Sequence, residues 1–315
     1  MIVVSPSRRL PLWSCTTPST EMAGVDVEKA IAKLKPARVR ELTLAVLLAE
    51  PDDFEDLPAP QVMLRNDGWT GVTTTIDGDG YRAVLITAGG RRTASRSCTV
   101  IDPEGVVIGS FAADAAARIA AVTAAALVAP RMLRDEPVTL GVLGAGPLGR
   151  LAIQALTEAL PIERVLIHDP DPLVAAEAAE LGRLVGDAPT AVRDASLIVT
   201  ATNARDPALR ADWVAPGAAI IALGADRQGR RELDYRILAE AAFVTCDAPA
   251  IARVIADDLR DCVLEGHLEW QEVTPIRDVL VPVVDARVTD DDLVVAKLID
   301  PTPVLLALAR AALRR

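Results

Sequence analysis

A glycine-rich turn between a short apolar segment and a helix-forming segment offers the clearest chemistry in the sequence. The apolar run Leu140–Leu143 leads into a Gly-x-Gly-x-x-Gly turn, and a helical pattern over Arg150–Leu160 follows. In such a turn the first glycine permits a tight bend, the second lets a pyrophosphate approach the backbone, and the third lets the helix pack on the strand. The amino terminus of the helix then faces the anion. The residues predicted to bind the dinucleotide here are Gly144, Ala145, Gly146, Pro147, Leu148 and Gly149.

An aspartate at the end of the next predicted strand indicates which dinucleotide is bound. The segment Val165–His168 ends at Asp169, about 20 residues beyond the last glycine, as the acidic residue of this motif does. Its carboxylate can accept hydrogen bonds from both hydroxyls of an adenosine ribose and would repel a 2′-phosphate. We therefore predict NAD(H) rather than NADP(H). The alternatives are a nucleotide-free αβ layer and an S-adenosylmethionine site, which also uses a glycine-rich turn and a strand-end acid.

Small and polar residues follow two more of the predicted strands. In a doubly wound sheet, ligands bind outside the carboxyl ends of the strands. The residues predicted to meet the nicotinamide end of the cofactor are Ala201, Thr202, Asn203, Leu223 and Gly224. Asp226 follows them, and a carboxylate there could exchange protons with an amine or stabilise a cationic iminium. Because Asp226 also precedes a polar turn, a helix-capping role is the alternative.

Three arginines could bind a substrate carboxylate, because a guanidinium pairs with a carboxylate through two parallel hydrogen bonds. Arg118 lies among alanines in a predicted helix, where a purely surface charge is poorly placed. Arg82 follows a turn in a β-type segment, and Arg65 precedes an Asn-Asp-Gly turn. Any one of them alone is best explained as a solvated side chain. Two or three that converge would form a pocket for an amino-acid carboxylate.

The charge and the cysteine content exclude several classes of function. The net charge of −11 argues against nucleic acid or an anionic membrane as a partner. Four cysteines without a Cys-x-x-Cys pair and two histidines provide no normally spaced metal site, so no metal is expected. Scattered cysteines favour a reducing, cytoplasmic location. No signal segment stands out, and the apolar run Ile119–Pro130 is too short for a membrane span, which predicts a soluble protein.

The chain divides into two predicted domains and a terminal helix. Residues 1–112 combine a helical pattern over Val27–Glu50 with turn-separated β-type segments, which favours an antiparallel sheet. Those β-type segments are Thr70–Ile76, Tyr81–Thr87 and Thr99–Ile108. Residues 113–301 follow an alanine-rich helical stretch, Phe111–Leu133, with alternating strands and helices, which is typical of a doubly wound parallel sheet. The strands are Leu140–Leu143, Val165–His168, Leu197–Ala201, Ala219–Leu223 and Phe243–Cys246, with helices that include Asp171–Val185 and Leu233–Glu240.

The predicted fold class is therefore α/β. It consists of a Rossmann-type doubly wound parallel sheet and a smaller α+β domain with an antiparallel sheet. Residues 302–315 form an amphipathic helix, which we expect to pack back on the smaller domain.

Several of these motifs occur together, and in the same order, in a known family. The glycine loop 144–149, the strand end 168–171 and the segment 201–203 are followed by Gly224-Ala225-Asp226 with Glu232-Leu233, and then by Val244-Thr-Cys-Asp247. From about residue 112 to 250 the chain resembles the ornithine cyclodeaminase/mu-crystallin family, which also contains amino-acid dehydrogenases and ketimine reductases. The resemblance implies a homodimer formed through the sheet of the first domain, which binds the substrate. It also implies that Asp226 is the acid/base and that Arg65 and Arg118 bind the substrate carboxylate, with Arg82 in place of the family's lysine.

The chain departs from the family pattern in ways that bear on activity. The linking helix reads Arg118-Ile-Ala-Ala, without the family's threonine, and the C-terminal Ser-x-Gly motif is not recognisable around Lys297–Val304. An arginine at position 82 can bind a carboxylate but is a poor proton donor, because the pKa of arginine lies above about 12. A cyclodeaminase must oxidise an amine, expel ammonia and reduce a cyclic imine, whereas a reductase needs one hydride transfer. The substitution favours the simpler chemistry.

The sequence therefore predicts an NAD(H)-dependent oxidoreductase that acts on the C–N bond of an amino acid or its imine. Asp226 would exchange the proton at nitrogen, while Arg118 and Arg82 would clamp the substrate carboxylate. Such an enzyme would be an imine or ketimine reductase or an amino-acid dehydrogenase. The alternatives are ornithine cyclodeaminase, an ammonia-lyase that makes proline, and a non-catalytic NAD-dependent protein that binds a small ligand.

Overall fold

The computed structural model describes residues 26–49, 61–65, 68–89 and 94–313, with the backbone alone at 61–65. Its helices are α1 Val27–Ala32, α2 Pro36–Leu47, α3 Asp114–Met132, α4 Pro147–Ala159, α5 Pro172–Ala176, α6 Ala188–Val192, α7 Tyr235–Glu240, α8 Pro249–Ile255, α9 Asp257–Leu264, α10 Ile276–Leu280 and α11 Thr302–Leu313. Its strands are β1 Gln61–Arg65, β2 Gly68–Ile76, β3 Arg82–Gly89, β4 Ala94–Ile101, β5 Val107–Ala112, β6 Val138–Leu143, β7 Ile162–His168, β8 Arg183–Leu184, β9 Leu197–Thr200, β10 Ala219–Ala222, β11 Phe243–Cys246, β12 Val273–Pro275 and β13 Val294–Lys297.

The larger sheet has eight strands in the order β12-β11-β13-β10-β9-β6-β7-β8, and all of its pairings are parallel. Strands β6, β9, β10 and β13 are buried at every residue, as expected of parallel strands covered on both faces. Strand β7 lies on one side of β6 and β9 lies on the other. The carboxyl end of β6 is therefore at the topological switch point, where sheets of this kind bind ligands.

Helices cover both faces of the parallel sheet. On one face, α3, α4 and α10 bury Met132, Leu156 and Val279 against the strands. On the other face, α7 and α9 bury Ile237 and Leu259. The two separate cores identify a doubly wound, Rossmann-type arrangement, which confirms the predicted fold class.

The smaller sheet contains β1 to β5 in sequence order, and its neighbouring strands are antiparallel, as predicted. Ala83 and Leu85 of β3 lie on its buried face, and so do Cys98 and Val100 of β4. Because side chains alternate along a strand, the intervening residues of β3, including Ile86, belong to the outer face.

Two of the predicted boundaries in this region were wrong. The predicted helix Val27–Glu50 is split into α1 and α2, because Pro36 disfavours a helical conformation at Lys35, which is extended with ψ 143°. The predicted segment Thr99–Ile108 covers parts of two strands, because the predicted Pro-Glu-Gly turn lies within it and separates β4 from β5. In that turn Gly105 has a φ of +88°, and its amide donates to the carbonyl oxygen of Asp102.

A third predicted boundary, the helix Asp171–Val185, was also wrong. Helix α5 ends at Ala176, and the chain then adds the short edge strand β8. Gly182, directly before β8, lets the backbone lie close to β7, since a Cβ at Gly182 would lie 2.7 Å from the Cβ of Val165.

Helix α3 connects the two sheets, and α11 returns to the smaller one. The first half of α3 shares a core with α1 and α11, in which Ala117, Val27 and Leu305 are buried. Its second half packs beneath the parallel sheet. By length and composition alone, α3 is also the one described helix that could cross a membrane, but most of it is buried inside the protein.

Candidate active site

A cavity of about 200 Å³ lies between the two sheets. There the carboxyl ends of β9, β10, β11 and β13 face α3 and the beginning of β4. Its polar lining consists of Arg96, Arg118, Thr202, Asn203, Asp226, Arg227, Asp247 and Asp300. Alanines of α3 and leucines from the strand ends supply most of the remaining wall. Apolar walls with a few converging polar groups are typical of small-molecule sites.

The glycine turn borders this cavity and leaves its backbone open. Gly144 has a φ of +100°, and a Cβ there would lie 2.6 Å from the carbonyl oxygen of Ala201. A Cβ on Gly149 would lie 1.9 Å from the carbonyl oxygen of Gly144, so the helix packs closely on the turn. A Cβ on Gly146 would instead meet nothing within 4 Å. Since Gly146 directly precedes α4, a phosphate could approach the backbone and the helix amino terminus there.

Asp169 lies directly after β7 and beside the glycine turn. One of its carboxylate oxygens accepts a hydrogen bond from the amide of Ala145 at 2.8 Å, and the other accepts from the amide of Asp171 at 2.9 Å. Each oxygen keeps a lone pair for a further donor, such as a ribose hydroxyl. Asp169 therefore braces the glycine turn in addition to any contact it makes with a ligand.

Asp226 follows β10, and its side chain lines the cavity. It comes after Ala225, the one described non-glycine residue with a positive φ, at +50°. Such strained backbone tends to occur at functional sites. The carboxylate of Asp226 contacts the guanidinium of Arg96 and lies 3.7 Å from that of Arg227. The helix-capping alternative is wrong, because the next helix, α7, is capped by Asp234.

Arg227 connects the turn that carries Asp226 to the smaller sheet. Its guanidinium carbon lies 4.7 Å from the centre of the Trp69 ring, and the guanidinium donates to Oδ1 of Asn203 at 2.6 Å. Burial lowers the pKa of Arg227, and the charge of Asp226 opposes that shift. Both sheets thus help to position Asp226.

A buried ion cluster of Lys297, Glu232 and Asp258 lies beneath the same turns, and each of its members is at most 2% exposed. The Nζ of Lys297 lies 2.8 Å from Asp258 and 3.6 Å from Glu232. It also donates to the carbonyl oxygen of Gly224 at 2.6 Å. Burial by itself would lower the pKa of Lys297, but the two carboxylates raise it above its ordinary value.

Within this cluster, Glu232 holds the two strand ends together. One carboxylate oxygen accepts from the amide of Thr202 at 2.6 Å, and the other accepts from the amide of Gly224 at 2.8 Å. Asp258 accepts from the amide of Glu232 itself at 2.8 Å. Burial raises the pKa of the Glu232 carboxyl. The cluster therefore fixes the spacing of the turns after β9 and β10.

Two more carboxyl groups lie in the cavity wall. Asp247, after β11, accepts from the amide of Ile299 at 2.9 and 3.0 Å and from the amide of Asp300 at 3.1 Å. Asp300 accepts from the amide of Thr302 at 3.0 Å, where α11 begins. Burial raises the pKa of Asp247 to about 7 and also raises the pKa of Asp300. Within the described ranges, no group of three His, Cys, Asp or Glu side chains could hold a metal ion.

Of the three arginines predicted to bind a carboxylate, the two whose side chains are described, Arg118 and Arg82, are not brought together. Arg118 lines the cavity from α3, and no described residue forms a hydrogen bond or ion pair with it. Arg82 does not line the cavity. It lies on the outer face of the smaller sheet, beside the buried Ala83, and donates to the carbonyl oxygen of Asp102 at 3.2 Å. The predicted clamp of Arg118 with Arg82 is therefore not formed. The side chain of Arg65, at the end of β1, lies outside the described part of the chain.

Sequence reasoning missed Arg96 and the buried cluster. Arg96 lies two residues before the buried Cys98, so alternation would have placed it on the inner face, had β4 been predicted to begin at Ala94. Lys297 ends the otherwise apolar segment Val294–Lys297. A buried lysine needs a partner of opposite charge, so its presence in an apolar segment could have indicated a buried ion pair.

Comparisons with known proteins agree with this architecture. The family model described as "Ornithine cyclodeaminase/mu-crystallin family" matches residues 105–295. A Delta(1)-pyrroline-2-carboxylate reductase of Paracoccus denitrificans is 29% identical over 182 residues, covering 54% of this chain and 57% of that protein. An L-lysine cyclodeaminase of Streptomyces rapamycinicus is 36% identical over 156 residues, covering 45% and 44%. The chain thus spans about half the length of these curated relatives.

Solved structures match over nearly the whole chain. The Delta(1)-pyrroline-2-carboxylate reductase of Thermococcus litoralis, in complex with NADH and L-proline, superposes with a TM-score of 0.83 at 17% identity, covering 91% of this chain and 95% of that one. An archaeal alanine dehydrogenase dimer with bound NAD gives a TM-score of 0.81 at 19% identity, covering 91% and 93%. Identities this low establish the shared fold. The family match covers more than half of the chain, and the protein therefore belongs to the ornithine cyclodeaminase/mu-crystallin family.

Proposed function

We propose that the protein is an NAD(H)-dependent oxidoreductase that acts on the carbon–nitrogen bond of an amino acid or of its imine. The observation that carries this proposal is the cavity beside the glycine turn, into which Arg118 and Asp226 both project. A guanidinium without a described partner suits a substrate carboxylate, and a carboxylate on a strained turn suits proton exchange at nitrogen. The two curated relatives, a reductase of a cyclic imino acid and a cyclodeaminase, support this assignment.

The chain would hold the cofactor along the carboxyl ends of β7, β6, β9 and β10. Asp169 would accept from the ribose hydroxyls, the open backbone at Gly146 would face the pyrophosphate, and Thr202 and Gly224 would border the nicotinamide. When bound, NAD(H) supplies the hydride donor or acceptor of the reaction. The NADH and NAD complexes of the two structural neighbours support this choice of cofactor.

The side chains of the cavity would then orient the substrate and exchange its proton. Arg118 would bind the carboxylate from α3, which holds the adjacent carbon in a fixed direction for reaction. Asp226 would take the proton from the substrate nitrogen during oxidation and return it during reduction. The hydrogen bonds of Glu232 would keep Thr202 and Gly224 in place throughout.

Cyclodeamination is the second candidate, favoured by the match to an L-lysine cyclodeaminase. That reaction would use the same cavity but release ammonia, and it would leave the amount of NADH unchanged. It requires a diamino substrate such as ornithine, whose distal amine closes the ring.

An absorbance assay tests these functions. The purified protein is mixed with NADH and a panel of 2-oxo acids, with and without ammonia or methylamine, and with cyclic imines. We expect NADH oxidation with at least one imine. In a separate arm with NAD⁺ and a diamino acid such as ornithine, ammonia release without net formation of NADH would establish cyclodeamination instead. NADH binding without turnover in any arm would indicate a non-catalytic binding protein.

We also propose the division into domains. Residues 1–112 would form the substrate and dimerisation domain, and residues 113–301 would form the NAD-binding domain. Helix α11, within 302–315, would belong to the first domain, because Leu305 and Leu308 share a core with Val27 and Ile31.

A homodimer formed through the smaller sheet is a further proposal. The outer face of that sheet carries mostly small and β-branched side chains. Ile86 and Val107 are 39% and 47% exposed, respectively. A second copy of the sheet could cover this face and remove that apolar surface from water. The dimer named for the archaeal alanine dehydrogenase supports the proposal.

We place the protein in the cytoplasm, with small molecules as its ligands. Cys98, Cys246 and Cys262 are all buried and free. Burial raises the pKa of the Cys98 thiol to about 12, so that thiol stays protonated. Free thiols are typical of a reducing compartment.

A further inference from the structure

We propose that Arg96, on β4, binds the carboxylate of the substrate, and that this carboxylate replaces Asp226 as a partner of the Arg96 guanidinium. The inference rests on the proposed function, since it assumes that a carboxylate-bearing substrate enters the cavity. It assigns to Arg96 the part in substrate binding that the sequence had suggested for Arg82.

Arg96 projects from the smaller sheet into the cavity. It lies on the same face as the buried Cys98 and lines the cavity with 22% of its side chain exposed. Arg82 lies five residues further along the sheet, since it pairs with Ile101, and it faces the opposite side. Of the described arginines on the smaller sheet, Arg96 is thus the one that reaches the site.

The partners of Arg96 leave part of its guanidinium available. Its backbone amide donates to Asp114 at 3.0 Å, and Nη1 lies 3.5 Å from the same carboxylate, which anchors the residue to the first turn of α3. Nη2 contacts the carboxylate of Asp226. A guanidinium has five N–H donors, and a carboxylate that binds two of them in parallel uses Nη2 together with either Nε or Nη1. An incoming carboxylate would therefore compete with Asp226 for Nη2.

The contact with Asp226 makes substrate binding and proton exchange depend on each other. While Asp226 contacts Arg96, it occupies a donor that a substrate carboxylate would seek. A carboxylate that binds Arg96 would displace Asp226 and free its oxygens for the substrate nitrogen. Asp226 would still be steadied by Arg227, which lies 3.7 Å away. Arg118, which also lines the cavity, would complete a two-arginine receptor for the same carboxylate.

The test measures the binding of oxamate, a small carboxylate, to the NADH-loaded protein by titration calorimetry. Arg96→Gln should weaken oxamate binding about 10- to 100-fold, the usual loss for a charge-assisted hydrogen bond. Arg96→Lys should lie between this variant and the native protein, because it keeps the charge but loses the planar fork. Asp226→Asn should bind oxamate about 3- to 10-fold more tightly, since the competing carboxylate is gone.

Arg82→Gln is the matched control, because it removes an arginine from the other face of the same sheet, and its oxamate affinity should stay native. NADH affinity and the melting temperature are measured for each variant, so that loss of fold is recognised. If Arg96→Gln does not fold, the oxamate affinities of the other two variants test the proposal. Arg96→Lys should bind oxamate more weakly than the native protein, and Asp226→Asn should bind it more tightly.

Two outcomes would overturn the proposal. Native oxamate binding by the folded Arg96 variants would show that Arg96 only anchors Asp226. Weaker binding by Asp226→Asn would show that Asp226 assists the ligand instead of competing with it. If the native protein binds NADH but neither oxamate nor any 2-oxo acid, the proposed function itself fails, and this result is distinct from the other two.

Discussion

Asp226 combines a strained backbone, two nearby guanidinium groups and exposure to the cavity. Replacing it with Asn keeps the shape of the side chain but removes its ability to exchange a proton. We expect turnover to fall about 10²- to 10⁴-fold with little change in NADH affinity. Steady-state kinetics and a fluorescence titration of NADH measure the two effects. Near-native turnover of Asp226→Asn would show that Asp226 does not exchange a proton with the substrate.

Asp169 should set the preference between the two dinucleotides. Asp169→Ser removes the charge that repels a 2′-phosphate, so the ratio of NADPH to NADH affinity should rise. NADH affinity should fall at the same time, because the hydrogen bond that the amide of Ala145 donates to the carboxylate is lost. Asp171→Asn, two residues away, is the control. Equal native affinity for both cofactors would contradict this role.

The carboxyl of Asp247 should make substrate binding depend on pH. Burial raises its pKa to about 7, so it is neutral below that pH and becomes an anion above it. An anion in the cavity wall repels a substrate carboxylate, so the Kd of such a ligand should increase as the pH rises through 7. Titrations of oxamate between about pH 6 and 8 would show this, and a Kd independent of pH in that range would refute it.

At the scale of single residues, sequence reasoning was effective where a local motif defines the position. The glycines of the turn, Asp169 and Asp226 each follow a predicted strand at a known spacing, and they line the edge that was expected. Arg96 was missed because the predicted segment began at Thr99 instead of Ala94, so Arg96 fell outside the strand whose alternation places it on the inner face. Arg82 was misplaced because side chains alternate along β3, so Arg82 faces outward when its neighbour Ala83 is buried.

At the scale of elements, the ends of β9, β10 and β13 are held together by the buried cluster. In Glu232→Gln, one carboxylate oxygen is replaced by an NH₂ group, which is a donor. That donor would face the backbone N–H of Thr202 or of Gly224, so the turn that carries this N–H must shift. We expect NADH affinity to fall about tenfold while the affinity for ADP-ribose, which lacks the nicotinamide, stays native. Glu240→Gln, at the end of α7, is the control. An equal loss for both ligands would show a general loss of structure instead.

The elements bounded by glycine-containing turns were the ones predicted well. The turn between β2 and β3 and the glycine turn before α4 each carry glycine at the bend, and the segments beside them were found. The strand β13 was missed because it contains Lys297, a charge that no local pattern pairs with Asp258 or Glu232. The helices α5 and α6 are only five residues each, too short to show a helical period.

At the scale of the whole molecule, the outer face of the smaller sheet should form the dimer contact. Ile86→Glu places a charge on that face. In a two-fold dimer the second subunit would place the same charge nearby, and the two like charges would repel each other. Light scattering should show a dimer for the native protein and a monomer for this variant. Leu173→Glu, at the exposed start of α5, should leave the dimer intact. A native monomer at micromolar concentration would exclude this assembly.

In the proposed function, the cavity transfers a hydride between NAD(H) and the carbon of a carbon–nitrogen bond. NADH deuterated at its transferable position tests this most directly, in a reaction with a mixture of 2-oxo acids and ammonia or with cyclic imines. We expect NMR of the amino-acid product to show deuterium on the carbon that bears both nitrogen and carboxylate. Oxidised cofactor with deuterium absent from that carbon, or deuterium retained in NADH for every substrate, would contradict it.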